Sequence, residues 1–247
     1  MIQIRDVRKN FDGKQVLKGV SLDVRDRETL VILGKSGCGK SVMLKIILGL
    51  LKPDSGTILV DGDEIGAMSY TELRKMRLRF GLLFQEAALF DSLTVGENIA
   101  LALRRRPGYE ESAIPESVRY SLEIVGLGPI EKVLPSTLSG GMKKRAGLAR
   151  AIAPMPRYVL YDEPTTGLDM ETADGINLLI TDLRSKLGVT SIVVTHDIHS
   201  AFLVGTRFAI MDSGVTLMTG TRQEIEASRN EDVRKYINSS LSPSRSK

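Results

Sequence analysis

Strand-like and helix-like segments alternate along this chain as in an α/β fold, here a parallel sheet interrupted by a helical insertion. A continuous apolar run, Leu30-Val31-Ile32-Leu33, stops at a glycine-rich segment and is followed by apolar residues at helical spacing. The stretch from Thr94 to about Val125 reads as helices. Past Ser139 the patterns of strand and helix alternate again.

The elements follow in order. Ile2, Ile4 and Val7, then Val20, Leu22 and Val24, alternate with other residues as short strands do. Leu30 to Leu33 is unbroken and suits a strand buried on both faces. Gly34 to Gly39 breaks it with three glycines, and Lys40 to Leu51 then carries Met43, Leu44, Ile47, Leu48 and Leu51 at the spacing of a helix. Lys52-Pro53-Asp54-Ser55-Gly56 and Asp61-Gly62 are turn chemistry on either side of a strand at Thr57 to Val60.

Ile99, Leu101 and Leu103, then Val118, Leu122 and Val125, define two helices separated at Pro107-Gly108. A long helix is expected after Ser139, then a strand at Tyr158 to Tyr161 and a helix from about Thr172 to Leu187. A strand at Ser191 to Thr195 and a helix from about Ile198 complete the pattern, and Asn238 to Lys247 is a polar, Ser-rich segment expected to fray.

Composition narrows the class without identifying it. Of 247 residues, 42% are hydrophobic and 26% charged, which excludes a disordered or fibrous chain. The net charge of +4 is too small to call for nucleic acid. A single cysteine, Cys38, cannot form an internal disulfide, so a reducing compartment is expected. Apolar runs such as Ile46 to Leu51 fall short of the roughly 18 to 20 residues that cross a bilayer, and Met1-Ile2-Gln3-Ile4-Arg5 is not a signal sequence. The chain is therefore expected neither to span a membrane nor to be exported.

Gly34-Lys35-Ser36-Gly37-Cys38-Gly39-Lys40-Ser41 fits G-x-x-x-x-G-K-[ST] between a buried strand and a helix, the context that pattern requires. Glycines let consecutive backbone N–H groups turn toward phosphate oxygens, the helix N-terminus adds partial positive charge, and Lys40 adds a full one. Ser41 would offer its hydroxyl to Mg²⁺. A nucleoside triphosphate is the expected ligand. Val159-Leu160-Tyr161-Asp162-Glu163 is an apolar strand ending in two carboxylates, with Asp162 placed to hold Mg²⁺ and Glu163 free to deprotonate or orient an attacking water.

Together with Leu138-Ser139-Gly140-Gly141-Met142, just upstream of Asp162, these residues make the chain resemble the nucleotide-binding subunits of ABC transporters. Ser139 can cap a helix whose first residues, Gly140 and Gly141, leave backbone N–H groups uncovered as a second anion site. The resemblance implies a P-loop NTPase of the ABC cassette type: a RecA-like core with an antiparallel β subdomain (residues 1–84 and 161–237), an inserted, mainly helical subdomain (85–160), and a polar tail (238–247). It implies ATP and Mg²⁺ as ligands, and hydrolysis coupled to transport. It also implies a homodimer in which the Ser139–Gly141 end of one subunit closes over the ATP on the other, and an integral membrane permease as partner at the cytoplasmic face of the inner membrane.

Other positions match the family one by one. Phe11 is where an aromatic stacks on adenine, and Val16 where an apolar residue touches base and ribose. Gln85, after the apolar stretch Phe80 to Phe84, matches the glutamine that contacts Mg²⁺ and water. Thr166-Gly167-Leu168-Asp169 matches the loop whose Asp169 lies across the dimer interface, and His196 matches the histidine that bonds the γ-phosphate and the catalytic water. His199 has no family role. Cys38 fills a variable slot as a tolerated small residue and would be a convenient alkylation target.

Met142 stands where most of the family has Gln, and cannot make an amide's hydrogen bonds. With Gly39 to Lys45 and the stretch Phe84 to Val95, it makes the chain look like the Mla/Mce branch, which moves phospholipids or related hydrophobic substrates. An Mce-domain protein is then an expected partner; an ATPase for polar solutes such as amino acids or metals is the first alternative, and a soluble ABC protein that does not transport the second. Exposed Leu89, Phe90 and Leu93 would form an apolar patch for the permease. Arg104-Arg105-Arg106 reads as a solvated helix end ahead of a lipid-headgroup contact.

Overall fold

The structure is a computed structural model and describes residues 1–241. In chain order, β1 is Ile2–Phe11, β2 Lys14–Val24, β3 Thr29–Leu33, α1 Lys40–Ile47, β4 Ser55–Val60, β5 Asp63–Glu64 and α2 Tyr70–Arg77. There follow β6 Phe80–Leu83, α3 Val95–Arg104, α4 Ile114–Ile124, α5 Gly140–Ile152, β7 Tyr158–Asp162 and α6 Met170–Leu187. The remainder is β8 Thr190–Thr195, α7 Ile198–Val204, β9 Arg207–Asp212, β10 Val215–Gly220, α8 Arg222–Glu226 and α9 Glu231–Leu241.

Two compact units divide the chain: Met1–Leu73 with Thr190–Lys247, and Arg74–Val189. The second is wider than the 85–160 insertion read from the sequence. Its extra breadth has a packing reason: β6 pairs with β7, and α5 packs on both β6 and α6, so the strands and α6 belong with the helices.

In the first unit, four strands form an antiparallel sheet in the order β2-β1-β4-β5. The β1–β2 hairpin closes through Asp12 and Gly13, both at positive φ (47° and 79°), the backbone of a type I′ turn. Ile2 and Ile4 on β1, and Val20, Leu22 and Val24 on β2, are buried in alternation; Val7 and Leu17 are buried too, but each lies three residues from its neighbour in the set, across register shifts beside Asp6 (φ 47°) and Gly19 (φ 102°). A parallel set lies in the same unit. β3 pairs with β8, Leu33 opposite Thr195, and with β9, Leu33 opposite Ile210. Flanked by strands on both edges, all five β3 residues are buried, which is why its sequence shows no alternation.

Strands β9 and β10 lie beyond the elements read from the sequence, and β10 is the antiparallel member of the pair. It runs antiparallel to β9 because Ser213 and Gly214, at φ 46° and 84°, turn the chain straight back. β9 is further fixed by a buried ion pair, Arg207 Nη1 to Glu28 Oε2 at 2.9 Å, and Arg207 also donates to the Asp23 carbonyl. The helix expected to run to Leu51 ends at Ile47. Gly49, at φ 63°, donates to Ile46 O, and Leu50 donates to Lys45 O, each at 2.8 Å, which is a Schellman stop. The polar tail expected from Asn238 is helical as far as Leu241, within α9. Its last six positions, 242–247, lie outside the described residues.

In the second unit β6 and β7 run parallel, Leu83 opposite Tyr161, with the Phe80 and Tyr158 rings stacked at 4.9 Å. Gly81 is required where α5 passes: a Cβ there would lie 2.3 Å from Ala151 O. Helix α3 starts with a capping box between Thr94 and Glu97, and α3 and α4 part at Pro107-Gly108 as expected. Among the described residues no helix is long and apolar enough to cross a membrane.

Candidate functional site

The nucleotide-site residues read from the sequence fall into two groups, one in each unit. In the first, the loop Gly34 to Gly39 joins β3 to α1, and its glycines are there for different reasons. A Cβ on Gly34 would stand 2.4 Å from Met211 O and 2.6 Å from Cys38 Sγ, so no larger residue fits. Gly37 has open space around it but sits at φ 79°, a conformation L side chains resist. Gly39 combines both constraints, with φ 106° and Leu17 Cδ2 2.6 Å from the Cβ it lacks.

Lys40 is buried, and its ammonium arches back over the loop to donate to Gly34 O at 2.7 Å and Lys35 O at 3.2 Å. Lys35, Ser36 and Gly37 are exposed on the same loop, and Ser41 is half-buried in the first turn of α1. The loop is therefore curled around its own lysine, with Lys35, Ser36 and Gly37 exposed to solvent. That donor set of glycine N–H groups, one ammonium and one hydroxyl suits phosphate and a hard, oxygen-seeking cation.

Val16 lies beside this loop, its Cγ1 3.5 Å from the Cβ position of Gly39. Phe11 is exposed at the end of β1, where its ring carries Lys9 Nζ 5.5 Å from its centroid. His196 is exposed directly after β8. Its neighbours are tightly held: Asp197 N donates to Thr195 Oγ1 at 3.0 Å, Asp197 caps α7 through His199 N, and the His196 carbonyl accepts from Tyr236 Oη on α9 at 3.3 Å. His199 is exposed on α7. Cys38 overturns one expectation. It is buried, and that burial pushes its thiol above the ordinary value in spite of the nearby Lys40 ammonium, so it is a poor alkylation target.

In the second unit, Asp162 ends β7 and is half-buried, whereas Glu163 is buried with its backbone at φ 47°. Thr166 holds Glu163 twice, donating from Oγ1 to Oε2 at 3.2 Å and from its amide to the Glu163 carbonyl at 3.3 Å. Ser139 caps α5, its Oγ accepting from Met142 N at 3.3 Å, so the Met in place of Gln keeps the backbone contact. Gly140 and Gly141 begin the helix, and a Cβ on Gly141 would meet Thr172 Cγ2 at 2.4 Å. Asp169 is exposed and caps α6, accepting from Thr172 N at 2.9 Å and Thr172 Oγ1 at 2.7 Å. Those bonds hold its carboxyl below the usual range.

Gln85 is exposed after β6. The patch expected beyond it is smaller than the sequence suggested: Phe90 and Phe84 are exposed, but Leu89 and Leu93 are half-buried. Buried Asn98 causes this by drawing the 90–94 segment onto α3, donating to Phe90 O, Leu93 O and Thr94 O. Of the three arginines, Arg104 pairs with Glu111 and Arg106 donates to Pro154 O at 3.1 Å, and all three are exposed, as a solvated helix end requires.

Sequence reasoning missed Lys144, Arg150 and Asn98. Lys144 is buried on α5 and donates to the carbonyls of Gln85 and Glu163, the latter at 3.2 Å. Burial pushes its ammonium below the ordinary lysine value, opposed by the charges of Glu86, Glu163 and Asp162. A signal was present: Lys144 precedes Gly147, Leu148 and Ala151 by three, four and seven positions, which puts a cation on the buried face of a helix.

A glycine loop curled around a buried lysine at the head of a parallel strand, with a carboxylate pair ending another strand, defines a P-loop nucleoside triphosphatase. Residues 17–166 match the ABC transporter family, and the chain belongs to it as an ABC ATPase cassette.

The ribonucleotide transport ATP-binding protein Mkl of Mycobacterium leprae, so named as probable, is 39% identical over 237 residues, 96% of this chain and 68% of that protein. The chain thus spans about two thirds of the length of that relative. The methionine import ATP-binding protein MetN of Clostridioides difficile is 38% identical over 96% of this chain and 74% of its own length. The intermembrane phospholipid transport ATP-binding protein MlaF of Escherichia coli is 37% identical over 96% of this chain and 88% of its own. Among solved structures, a dimeric post-hydrolysis state of the ATP-binding cassette MJ0796 bound to ADP and Pi superposes with a TM-score of 0.83 at 32% identity, covering 90% of this chain and 98% of that one.

Proposed function

We propose that this chain is the ATP-hydrolysing subunit of a transporter that moves phospholipid or a related lipid through a membrane permease, acting as a homodimer on the cytoplasmic face of the inner membrane. The observation that carries the ATPase half is Lys40 bonded to Gly34 and Lys35 carbonyls over an otherwise open glycine loop. Phosphate oxygens can take those bonds over, and the backbone N–H groups of the exposed residues Lys35 to Gly37 would complete the cradle. Phe11 and Val16 would hold the adenine and ribose.

Ser41, Gln85 and Asp162 supply oxygen donors for Mg²⁺, which, when bound with the nucleotide, would neutralise phosphate charge. Glu163 is the general base for the attacking water, with Thr166 restraining its carboxylate. His196 places the water and γ-phosphate. Ser139, Gly140 and Gly141 offer their helix start to the nucleotide held by a second copy, with Asp169 nearby in the chain at the dimer contact. Closure on ATP and opening after hydrolysis would drive the permease.

The lipid assignment is supported by the correspondence with MlaF, which is covered over 88% of its length, and by Met142 at the signature. A polar-solute reading is favoured by the similar identity to MetN, 38%. Purification of the chain from its native membrane discriminates them. A permease together with an Mce-domain protein is the expected result; a permease with a soluble solute-binding protein and no Mce-domain protein overturns the lipid reading. Glu163→Gln is expected to bind ATP, hydrolyse it very slowly and accumulate as a dimer, and full turnover would remove Glu163 from the role of base.

A further inference from the structure

Two lysines are buried among the described residues, Lys40 and Lys144. The first belongs to the phosphate loop. The second, on α5, is four residues past the helix start and has no role in the account so far. An isolated ammonium is costly to bury, and an apolar residue of similar volume is often as good or better for stability. What Lys144 does with its charge therefore needs a reason.

The partners of Lys144 supply one. Both are main-chain carbonyls, and both belong to residues at which the nucleotide chemistry was placed: Gln85, and Glu163 at 3.2 Å. Glu163 is in the left-handed region, at φ 47°, a conformation that is strained for a non-glycine residue and persists only when its surroundings hold it. The loop after Gln85 has the same difficulty at Ala87 and Ala88, with φ 58° and 49°. There α5 supplies a second cation: Arg150 donates to Ala87 O at 2.8 Å and to Ala88 O at 2.6 Å. Between them Gly147 brings the helix against Ala87, whose Cβ would lie 3.1 Å from a Cβ on that glycine. Both strained segments are thus pinned to one face of the helix that begins at Ser139.

We propose that Lys144 is a positioning residue for ATP hydrolysis, tying the Gln85 and Glu163 carbonyls to the signature helix so that the glutamine loop and the carboxylate move with it. The proposal rests on the reading of Gln85 and Glu163 given above. Charge-assisted bonds to two carbonyls are strong and directional. Because the pinned atom of Glu163 is its carbonyl and not its carboxylate, loss of the bond leaves the base chemically intact and displaces it. A displacement of about 1 Å costs up to on the order of a hundredfold in rate.

The test is steady-state ATP hydrolysis by the full chain, with ATP affinity measured separately, for Lys144→Met, Lys144→Gln and Lys144→Arg. Lys144→Met is expected to lower kcat about tenfold or more with ATP affinity within about threefold of wild type, and Lys144→Arg to recover most of the loss. Hydrogen exchange at 84–88 and 163–167 should rise in the Met variant without nucleotide. Should Lys144→Met fail to fold, Lys144→Gln, which keeps a shorter, uncharged donor group, should show a several-fold fall in kcat at unchanged affinity. Wild-type kcat in the Met or Gln variant overturns the proposal, as does a loss of affinity and thermal stability with no separate fall in kcat. Glu163→Gln is run alongside. Normal turnover there removes the base assignment itself, whereas loss of turnover there with normal kcat for Lys144→Met removes the Lys144 role alone.

Discussion

Asn98 and Phe90 exchange two hydrogen bonds: Phe90 N donates to Asn98 Oδ1 at 2.8 Å, and Asn98 Nδ2 donates to Phe90 O at 3.0 Å. The same amide also reaches Leu93 O and Thr94 O, from a fully buried position on α3. One side chain therefore sets the course of the segment that presents Phe90 to solvent. Asn98→Ala would strip partners from the loop and leave a cavity, and should cost about 2 kcal/mol or more, read by chemical denaturation. Hydrogen exchange at Phe90 and Leu93 should rise more than in α4.

Gly34→Ala should be destabilising by about 1–3 kcal/mol even before nucleotide binding is considered, because the added methyl meets Met211 O, a backbone atom that cannot rotate away. Gly37→Ala meets nothing and should suffer only from its φ of 79°. Thermal melts of the two variants without nucleotide check the order.

Cys38 should react slowly with a maleimide or iodoacetamide in the folded protein at neutral pH. Burial raises its thiol above the ordinary 9.0, so the reactive thiolate is scarcer than in a free cysteine and increases as pH rises toward and past that value. Labelling should become fast on denaturation. Fast labelling of the native chain would contradict the packing of Cys38 beneath Gly34.

Asp169 should make the start of α6 sensitive to acid. Its carboxyl is held below the ordinary 3.8 by the Thr172 amide and hydroxyl. A carboxylate depressed in the folded state contributes stability that is complete above the unfolded value and is lost as pH falls through the lower folded value. Exchange protection of the first α6 turn should therefore be level from neutrality to about pH 4 and decline below it. In Asp169→Asn, which can still cap but cannot titrate, that decline should disappear.

Much of this was legible in the sequence because it depends on local rules. Period-two alternation placed Ile2 to Ile4 of β1 and Val20 to Val24 of β2 but not the register shifts at Asp6 and Gly19, an unbroken apolar run placed β3, and G-x-x-x-x-G-K-S between strand and helix placed the phosphate loop with its lysine. Ser139 was readable as a cap because capping is a property of a few consecutive residues. The α1 stop at Gly49 was legible in principle as a Schellman glycine, but the apolar periodicity running on to Leu51 masked it.

Residue order carries the chemistry of this chain: a phosphate loop, a pair of carboxylates, a capped glycine helix start and a histidine after a strand. Tertiary structure alone decided how those groups are held. Lys144 lies 59 residues from Gln85 and 19 from Glu163, and Arg207 lies 179 from Glu28, so no local pattern couples them. Burial decided the state of Cys38, and packing against Met211 decided why Gly34 is glycine. The physical reason is common to all four: the energy of a buried charge, thiol or missing methyl is set by atoms brought close in space, and spacing along the chain does not encode which atoms those are.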